Sequence, residues 1–519
     1  MALTAIDKIK RFQVAASRKA GWSELYEEAL AYSAPQRNSF SKQMKGSSRS
    51  GQVFDSTAQI AMQKFASNLQ SSLVPPAKKW INLVSGNKVP SEERDLVNKA
   101  LEEVKNIFFN YIHMSNFDTQ IAESFLDLAV GTGAMLVLKG TPDQPLRFIS
   151  VPLSQLYLEE GAFGEINTAF RKHKMAVRTI NETWPDAMLS ESLKVLLEEK
   201  PETEVELIES TIPTKIAKYN PFIEREEEVD GYIYSVTFAN DKADLVIREQ
   251  ESSPWVIFRY STMPGEIYGR GPLLTALPDI KTLNKTKELV LKNASLAVAG
   301  AYTVADDGVI NVNNVKIRPG SLIPVGSNGG ANGPTLLPLP RSGDFNIAEL
   351  IVGDLQKSIN DALFADSLGK IDSPTKSATE IAIRQQELVK RIGSAFGRLQ
   401  FELLGPLIQR ILYVLEEQGL LDLNPFRIDG EGISIEYVSP LAMAQDQEEL
   451  MGMMQYVEFI SKHFGSEHPI LQLKAGKIAE KVAEFLGVSP QVAVSAQELE
   501  NLELDMLEAL GTHVVAEDK

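Results

Sequence analysis

Gly131-Thr132-Gly133 is the stretch of this sequence that comes nearest to a phosphate-binding loop. Such a loop works because its glycines follow a strand and precede a helix, so that free amides at the helix start point at the anion. Here the order is reversed: a helical stretch, 117–130, comes first and the apolar run Ala134–Leu138 follows. The glycines therefore predict a tight helix-to-strand turn and not a nucleotide site. Five histidines, His113, His173, His463, His468 and His513, could in principle do acid–base or metal chemistry. Only 463 and 468 are near one another, and a spacing of five does not stack two side chains on one helical face. The absence of cysteine removes thiol nucleophiles, disulfides and cysteine-ligated metals together. No GxxxxGK[ST], GxSxG or HExxH pattern occurs. Carboxylates are abundant, but abundance without a partner and a cleft does not make an acid–base pair. The expectation is a chain with no catalytic, cofactor-binding or metal residues, and so not an enzyme.

The elements that would position any such residue belong to a long, acidic, ordinary globular composition. At 519 residues the chain exceeds one compact core, which predicts several domains or an elongated subunit. A hydrophobic content of 44% excludes wholesale disorder. The longest apolar stretch, Leu289 to Val304, is broken by Lys292 and Asn293 and falls short of the ~18–20 residues that span a bilayer. Lys8, Lys10 and Arg11 are followed by no apolar signal core, so a soluble cytoplasmic product is expected. The net charge of −17 argues against a broad basic face gripping nucleic acid. It is compatible with DNA that must slide, since each neutralised phosphate adds affinity that movement would have to overcome.

Apolar periodicity predicts helices over 4–34, from the Asp55-Ser56-Thr57 cap through Leu73, over 91–112 and over 117–130. Strands are expected at 134–138, 146–151 and 165–175, then an acidic helical insertion between 180 and 210. Tyr232, Tyr234, Val236 and Phe238 alternate with period two, turn at Asn240-Asp241 and return over Leu245–Glu249, which predicts a hairpin. Tyr268-Gly269-Arg270-Gly271-Pro272 punctuates the chain before a helix from Leu273 to Ala299. Residues 300–344 are rich in Gly, Asn and Pro, with short strands at Val309–Val315 and Ser321–Val325, and read as a small β module between two helices. Helix resumes from Phe345 to Ala365, and a loop, 366–376, precedes a long helix opened by Ser377-Ala378-Thr379-Glu380-Ile381. Its face runs through Ile381, Leu388, Ile392, Leu399, Leu403, Leu407 and Ile411, with a kink expected at Gly405-Pro406. Arg427 to Val438 reads as a strand, and the remainder as helical.

Four of these stretches carry a resemblance when taken in order: Val53-Phe54-Asp55-Ser56-Thr57-Ala58, Pro75-Pro76 ending in Trp80, the helix opened by Ser377, and Ser439-Pro440-Leu441-Ala442. The chain resembles the portal, or head-to-tail connector, proteins of short-tailed bacteriophages. The resemblance implies an α+β, elongated multi-domain subunit of wing, stem helices, β-rich clip and helical crown that assembles into a ring. It assigns 1–268 to the wing, 269–299 and 345–365 to the stem helices, 300–344 to the clip and 366–376 to a tunnel loop. Residues 377–440 become the long kinked helix and wing return strand, and 441–519 the crown. The partners it implies are eleven further copies in a twelve-fold ring, double-stranded DNA passing through, the major capsid protein, a tail adaptor and terminase. Scaffold and internal core proteins are further partners of this kind, and no membrane is involved. The implied location is the capsid portal vertex of the virion, with assembly in the host cytoplasm.

Within that frame Lys370 and Lys376 flank the tunnel loop, and Lys316, Arg318 and Arg341 lie in or beside the clip. Rings of such cations in an otherwise acidic channel would touch phosphates weakly and at intervals; ordinary solvated surface is the other reading of each. A non-enzymatic structural scaffold of the virion that never conducts DNA is the alternative to a portal. An enzyme with a new nucleotide site near Gly131 is a second competitor, disfavoured by the order of elements.

Overall fold

The computed structural model describes residues 3–37, 40, 51, 53–86, 89–90, 94–220, 225–299, 302–305, 322–325, 336–338, 345–365, 393, 395–421, 433–438, 452, 454–460, 462–463 and 482. The helices are α1 (Ala5–Ser33), α2 (Thr57–Leu73), α3 (Arg94–Met114), α4 (Phe117–Val130), α5 (Val177–Thr183), α6 (Glu191–Glu199), α7 (Pro272–Ala299), α8 (Phe345–Ala362) and α9 (Gly405–Glu417). The strands up to the first long hairpin are β1 (Ile81–Ser85), β2 (Thr132–Thr141), β3 (Gln144–Ser150), β4 (Leu156–Glu160), β5 (Ile166–Ala176), β6 (Glu204–Asn220) and β7 (Arg225–Phe238). Then follow β8 (Ala243–Gln250), β9 (Trp255–Arg259), β10 (Tyr302–Ala305), β11 (Leu322–Val325), β12 (Leu336–Pro338) and β13 (Ile433–Tyr437). The chain divides into two compact units, one of residues 1–20, 66–270 and 367–519, the other of 21–65 and 271–366. No described helix is long and apolar enough to cross a membrane.

The first unit is built on a five-stranded antiparallel sheet, β4-β5-β6-β7-β8, in which sequential strands are neighbours. Alternation along the strands gives it two apolar faces. Phe170, Ile208 and Ile212 pack against Phe12 and Ala15 of α1. On the opposite face Val205, Leu207, Tyr234 and Val236 pack against Val177 and Ile180 of α5, against Trp184 at the end of α5 and against Leu193 of α6. The insertion expected to be helical over 180–210 is helical only at 177–183 and 191–199, and residues from Glu204 onward form β6. The acids at 204, 206 and 209 disguise a strand: Glu206 pairs with Lys172 and buried Glu209 with Arg171, both on neighbouring β5. Lys19 of α1 is also buried. It donates to the Leu153 carbonyl and lies 4.2 Å from the Tyr157 ring centroid, and burial pushes its ammonium down to about 7.

A second, three-stranded sheet, β3-β2-β9, carries α4. The observed α4 has the expected bounds, and the glycine turn leads from it into β2. The reason for glycine here is close approach. A Cβ on Gly131 would run into the Gly269 carbonyl oxygen, and one on Gly269 into the Gly131 carbonyl oxygen. The crossing is sealed by Tyr260 N–H donating to Gly131 O at 3.0 Å and Gly269 N–H donating to Thr132 Oγ1 at 2.8 Å. Trp80, fully buried, gathers Phe108, Phe109 and Phe117, and its carbonyl accepts the Val438 N–H where β1 pairs antiparallel with β13. Of the strand expected over 427–438, residues 433–437 are observed and 427–432 lie outside the described residues.

The second unit contains α7 and α8 with the strands between them. Here β10 pairs parallel with β11 and antiparallel with β12. The expected strand at 321–325 appears as β11, and Val309–Val315 lies outside the described residues. The Ser377 helix lies outside them as far as residue 392. Its described continuation buries Leu399, Leu403, Leu407 and Ile411 on the expected face. The interruption expected at Gly405-Pro406 takes the form of a π-helical turn over Gln400–Leu404, in which Gly405 N–H reaches the Gln400 carbonyl. The wider turn places Pro406 in the first turn of α9, where a missing N–H loses no helical bond.

Gly131→Ala and Gly269→Ala should each destabilise the first unit by about 1–3 kcal/mol, because backbone must move to admit a methyl group. Denaturant unfolding against a Gly→Ala control at exposed Gly397, where nothing crowds the added carbon, checks this.

Candidate functional site

The residues that could have done chemistry are dispersed. His113 lies beside the Phe109 ring, His173 is buried in β5, and His463 bonds the Phe459 carbonyl and stacks on its ring. His468 and His513 lie outside the described residues. Among the described residues no group of three His, Asp or Glu side chains could hold a metal ion. Lys316, Arg318, Arg341, Lys370 and Lys376 all lie outside the described residues. What the structure does assemble is a set of buried polar hubs that fix helices in place.

One hub belongs to the second unit and uses the Val53–Ala58 motif. Asp55 Oδ1 accepts the Thr57 N–H at 2.8 Å, capping the start of α2. Its other oxygen accepts Gln356 Nε2 of α8 at 3.0 Å and lies 3.8 Å from Lys287 Nζ of α7. One residue earlier, Phe54 N–H donates to Asn284 Oδ1 of α7 at 2.7 Å. Two consecutive residues thus tie both helices that flank the β module. Phe65 and Phe364 add a ring contact at 6.4 Å in the same unit.

The other hubs lie in the first unit and were not foreseen. Arg259 ends β9, 5% exposed, and meets Glu402 of the π-helical turn. Glu402 Oε1 accepts Arg259 Nη2 at 2.7 Å and Arg398 Nη1 at 3.0 Å, and Oε2 accepts the Arg259 backbone N–H at 2.8 Å. The same guanidinium donates to the Ile267 and Gly164 carbonyls at 3.2 and 3.4 Å. Three stretches far apart in sequence, at 164, 259–267 and 398–402, therefore converge on one buried pair. Eight residues further along, Arg410 donates to the Val137 carbonyl, the Ser252 carbonyl and Gln250 Oε1 at 3.2, 2.9 and 3.1 Å. Burial lowers its guanidinium to about 10, so it remains charged at neutral pH. Nearby, the Tyr268 hydroxyl accepts the Leu158 N–H, and Arg270 pairs with Glu266, accounting for the punctuating Tyr268–Pro272 stretch. The sequence signal that could have exposed these hubs is a charge inside an apolar run, as in Trp255–Arg259 and in Leu399–Ile411.

An arrangement of this kind holds elements in place. The family model for the bacteriophage head to tail connecting protein matches residues 7–493, and the chain belongs to that family. Its role is that of a portal, and it is a structural component of the virion in a family that is structural and not enzymatic. The portal protein of Salmonella phage epsilon15 is 25% identical over 88% of this chain and 82% of its own length. The probable portal protein of Bordetella phage BPP-1 is 22% identical over 93% and 87%. Among solved structures, a chain of the neck of an empty gene transfer agent particle aligns at 12% identity, covering 81% of this chain and 89% of its own, with a TM-score of 0.32.

Glu402→Ala should cost about 3–5 kcal/mol, because it strands the Arg259 guanidinium in a buried site. Arg259→Met combined with Glu402→Leu should recover most of that loss. Urea unfolding of Arg259→Met, Glu402→Leu and the double variant measures the coupling.

Proposed function

We propose that twelve copies of the chain form a ring at one capsid vertex, through which double-stranded DNA is packaged and later ejected. The match of the head-to-tail connecting family over residues 7–493 supports this reading most directly. On it, 1–268 forms the wing, 269–299 and 345–365 the stem helices and 300–344 the clip, which meets terminase during packaging and the tail adaptor afterwards. Residues 366–376 form the tunnel loop, 377–440 the long helix and return strand, and 441–519 the crown inside the capsid. The ring contacts the major capsid protein at its rim, and subunits assemble in the host cytoplasm before joining the virion. Catalysis is left to the packaging motor, and this chain supplies the passage.

The bracketing of α7 and α8 by Phe54 and Asp55 suits a stem that transmits load, since both helices are tied to one segment. The net charge of −17 suits a wall that repels the backbone of the duplex and keeps it centred. Lys370 and Lys376, with Lys316, Arg318 and Arg341, would then be weak, spaced phosphate contacts that hinder backward slippage without a deep energy well.

Negative-stain electron microscopy of the purified protein should show rings with an open channel at least as wide as a duplex, ~20 Å across, judged from a groove of ~12 Å plus backbone. Compact particles without a channel would favour the plain scaffold. Lys370→Ala with Lys376→Ala should leave ring assembly intact and change DNA retention or the length packaged. Unchanged packaging and retention would remove the role given to these two lysines.

A further inference from the structure

The five-stranded sheet contains a titratable group that neither the fold nor the proposed function uses. His173 sits on β5 opposite Leu207 of β6, with its side chain 6% exposed. Neither ring nitrogen has a hydrogen-bond partner, an uncommon state for a buried polar group. The nearest acceptor is Glu209 Oε1, 3.4 Å from Nδ1. That carboxylate is already engaged. Arg171 Nη1 donates to Oε1 at 3.1 Å, and the Tyr234 hydroxyl donates to Oε2 at 2.8 Å. Tyr234 also packs with Trp184, which terminates α5, in the apolar cluster that joins the α5–α6 lobe to the sheet. The polar groups from His173 through Glu209 therefore end at a ring that the lobe packs on.

We infer that His173 is an acid-responsive latch: charging its imidazole redirects the Glu209 carboxylate, weakens its bond from Tyr234 and loosens the α5–α6 lobe that packs on Tyr234 from the sheet. The groups facing His173 are Glu209 from β6, Tyr234 behind it on β7, and Arg171 on its own strand, itself held by Gln155. Lys172 and its partner Glu206 lie on the other face of the sheet. Of the charges of the lobe, Arg178, Glu182, Glu191 and Lys194 are engaged in solvent-exposed pairs, and Asp186 pairs with Arg248 of β8.

Burial lowers the basicity of His173 from its ordinary value of 6.5; Glu209 opposes this and Arg171 reinforces it. The loosened state takes up a proton at the ordinary value, the closed state only at lower pH. The closed state thus has its full stability above pH 6.5 and loses it as the pH falls through the window beneath, ending at the lowered value. Lys19 does not blur this window, because its own uptake in the folded state is centred at about 7 and its depression acts above that pH.

Hydrogen–deuterium exchange of the full-length protein, corrected for intrinsic rates, tests the latch between pH 7.5 and 5. Protection of residues 177–199 should fall by up to about tenfold per pH unit below 6.5, the limit for one proton, while amides around Trp80 stay protected. His173→Gln and Tyr234→Phe should both flatten that dependence, the first by removing the charge and the second by cutting the bond between Tyr234 and Glu209. Tyr234→Phe keeps the test open if the histidine variant does not fold. A wild-type lobe whose protection is independent of pH, or a pH dependence retained in a folded variant of either kind, overturns the latch.

Discussion

The pair of Arg259 and Glu402 is the contact on which the arrangement of the first unit depends. Taking two charges out of water costs several kcal/mol per ion, and mutual attraction offsets this only when the remaining donors and acceptors are filled. Here they are filled: Glu402 takes two guanidinium groups and a backbone amide, while Arg259 has two carbonyls besides its carboxylate. Apolar residues of similar volume would give comparable stability. They would not select one relative placement of β9, the turn at Gly164, the Ile267 segment and the π-helical turn. The pair supplies specificity of assembly more than net stability, and the π-helical turn follows from it: it brings Glu402 inward while Phe401 beside it stays exposed.

A similar economy governs the rest. Arg410 reaches three oxygens on three segments, Asp55 caps one helix and bonds a second, and the glycines at 131 and 269 let two backbones touch. None of these groups is placed to attack, abstract or coordinate. Each satisfies polar atoms that would otherwise be buried unpaired, at a junction between elements distant in sequence. A structural component of a virion needs such junctions to hold its elements in place.

Local signals were legible in the sequence. The period of α4 and the glycine that ends it gave the bounds observed, Asp55 announced the cap of α2, and the alternation at Tyr232–Phe238 announced a hairpin. The errors have one physical origin. Glu204, Glu206 and Glu209 look like a solvated helix face until the lysine and arginine of β5 are known to lie beside them. Arg259 and Glu402 are 143 positions apart, so nothing local announces their pairing. Periodicity reports which face of an element is apolar; it does not report which polar residue on another element will reach it.

The electrostatics argue from the same premise. A protein that binds DNA tightly concentrates Lys and Arg on one face, and every phosphate it neutralises adds affinity and salt dependence. In this chain several described cations are already committed to carboxylates or carbonyls: Arg171, Arg259 and Arg410 inside the fold, and Lys281, Lys285 and Lys292 along α7. Committed cations hold elements together without presenting free charge. With 69 acids against 52 bases, the charge left over is negative. Hence the same ion pairs that fix the architecture leave these cations unavailable to grip a polyanion.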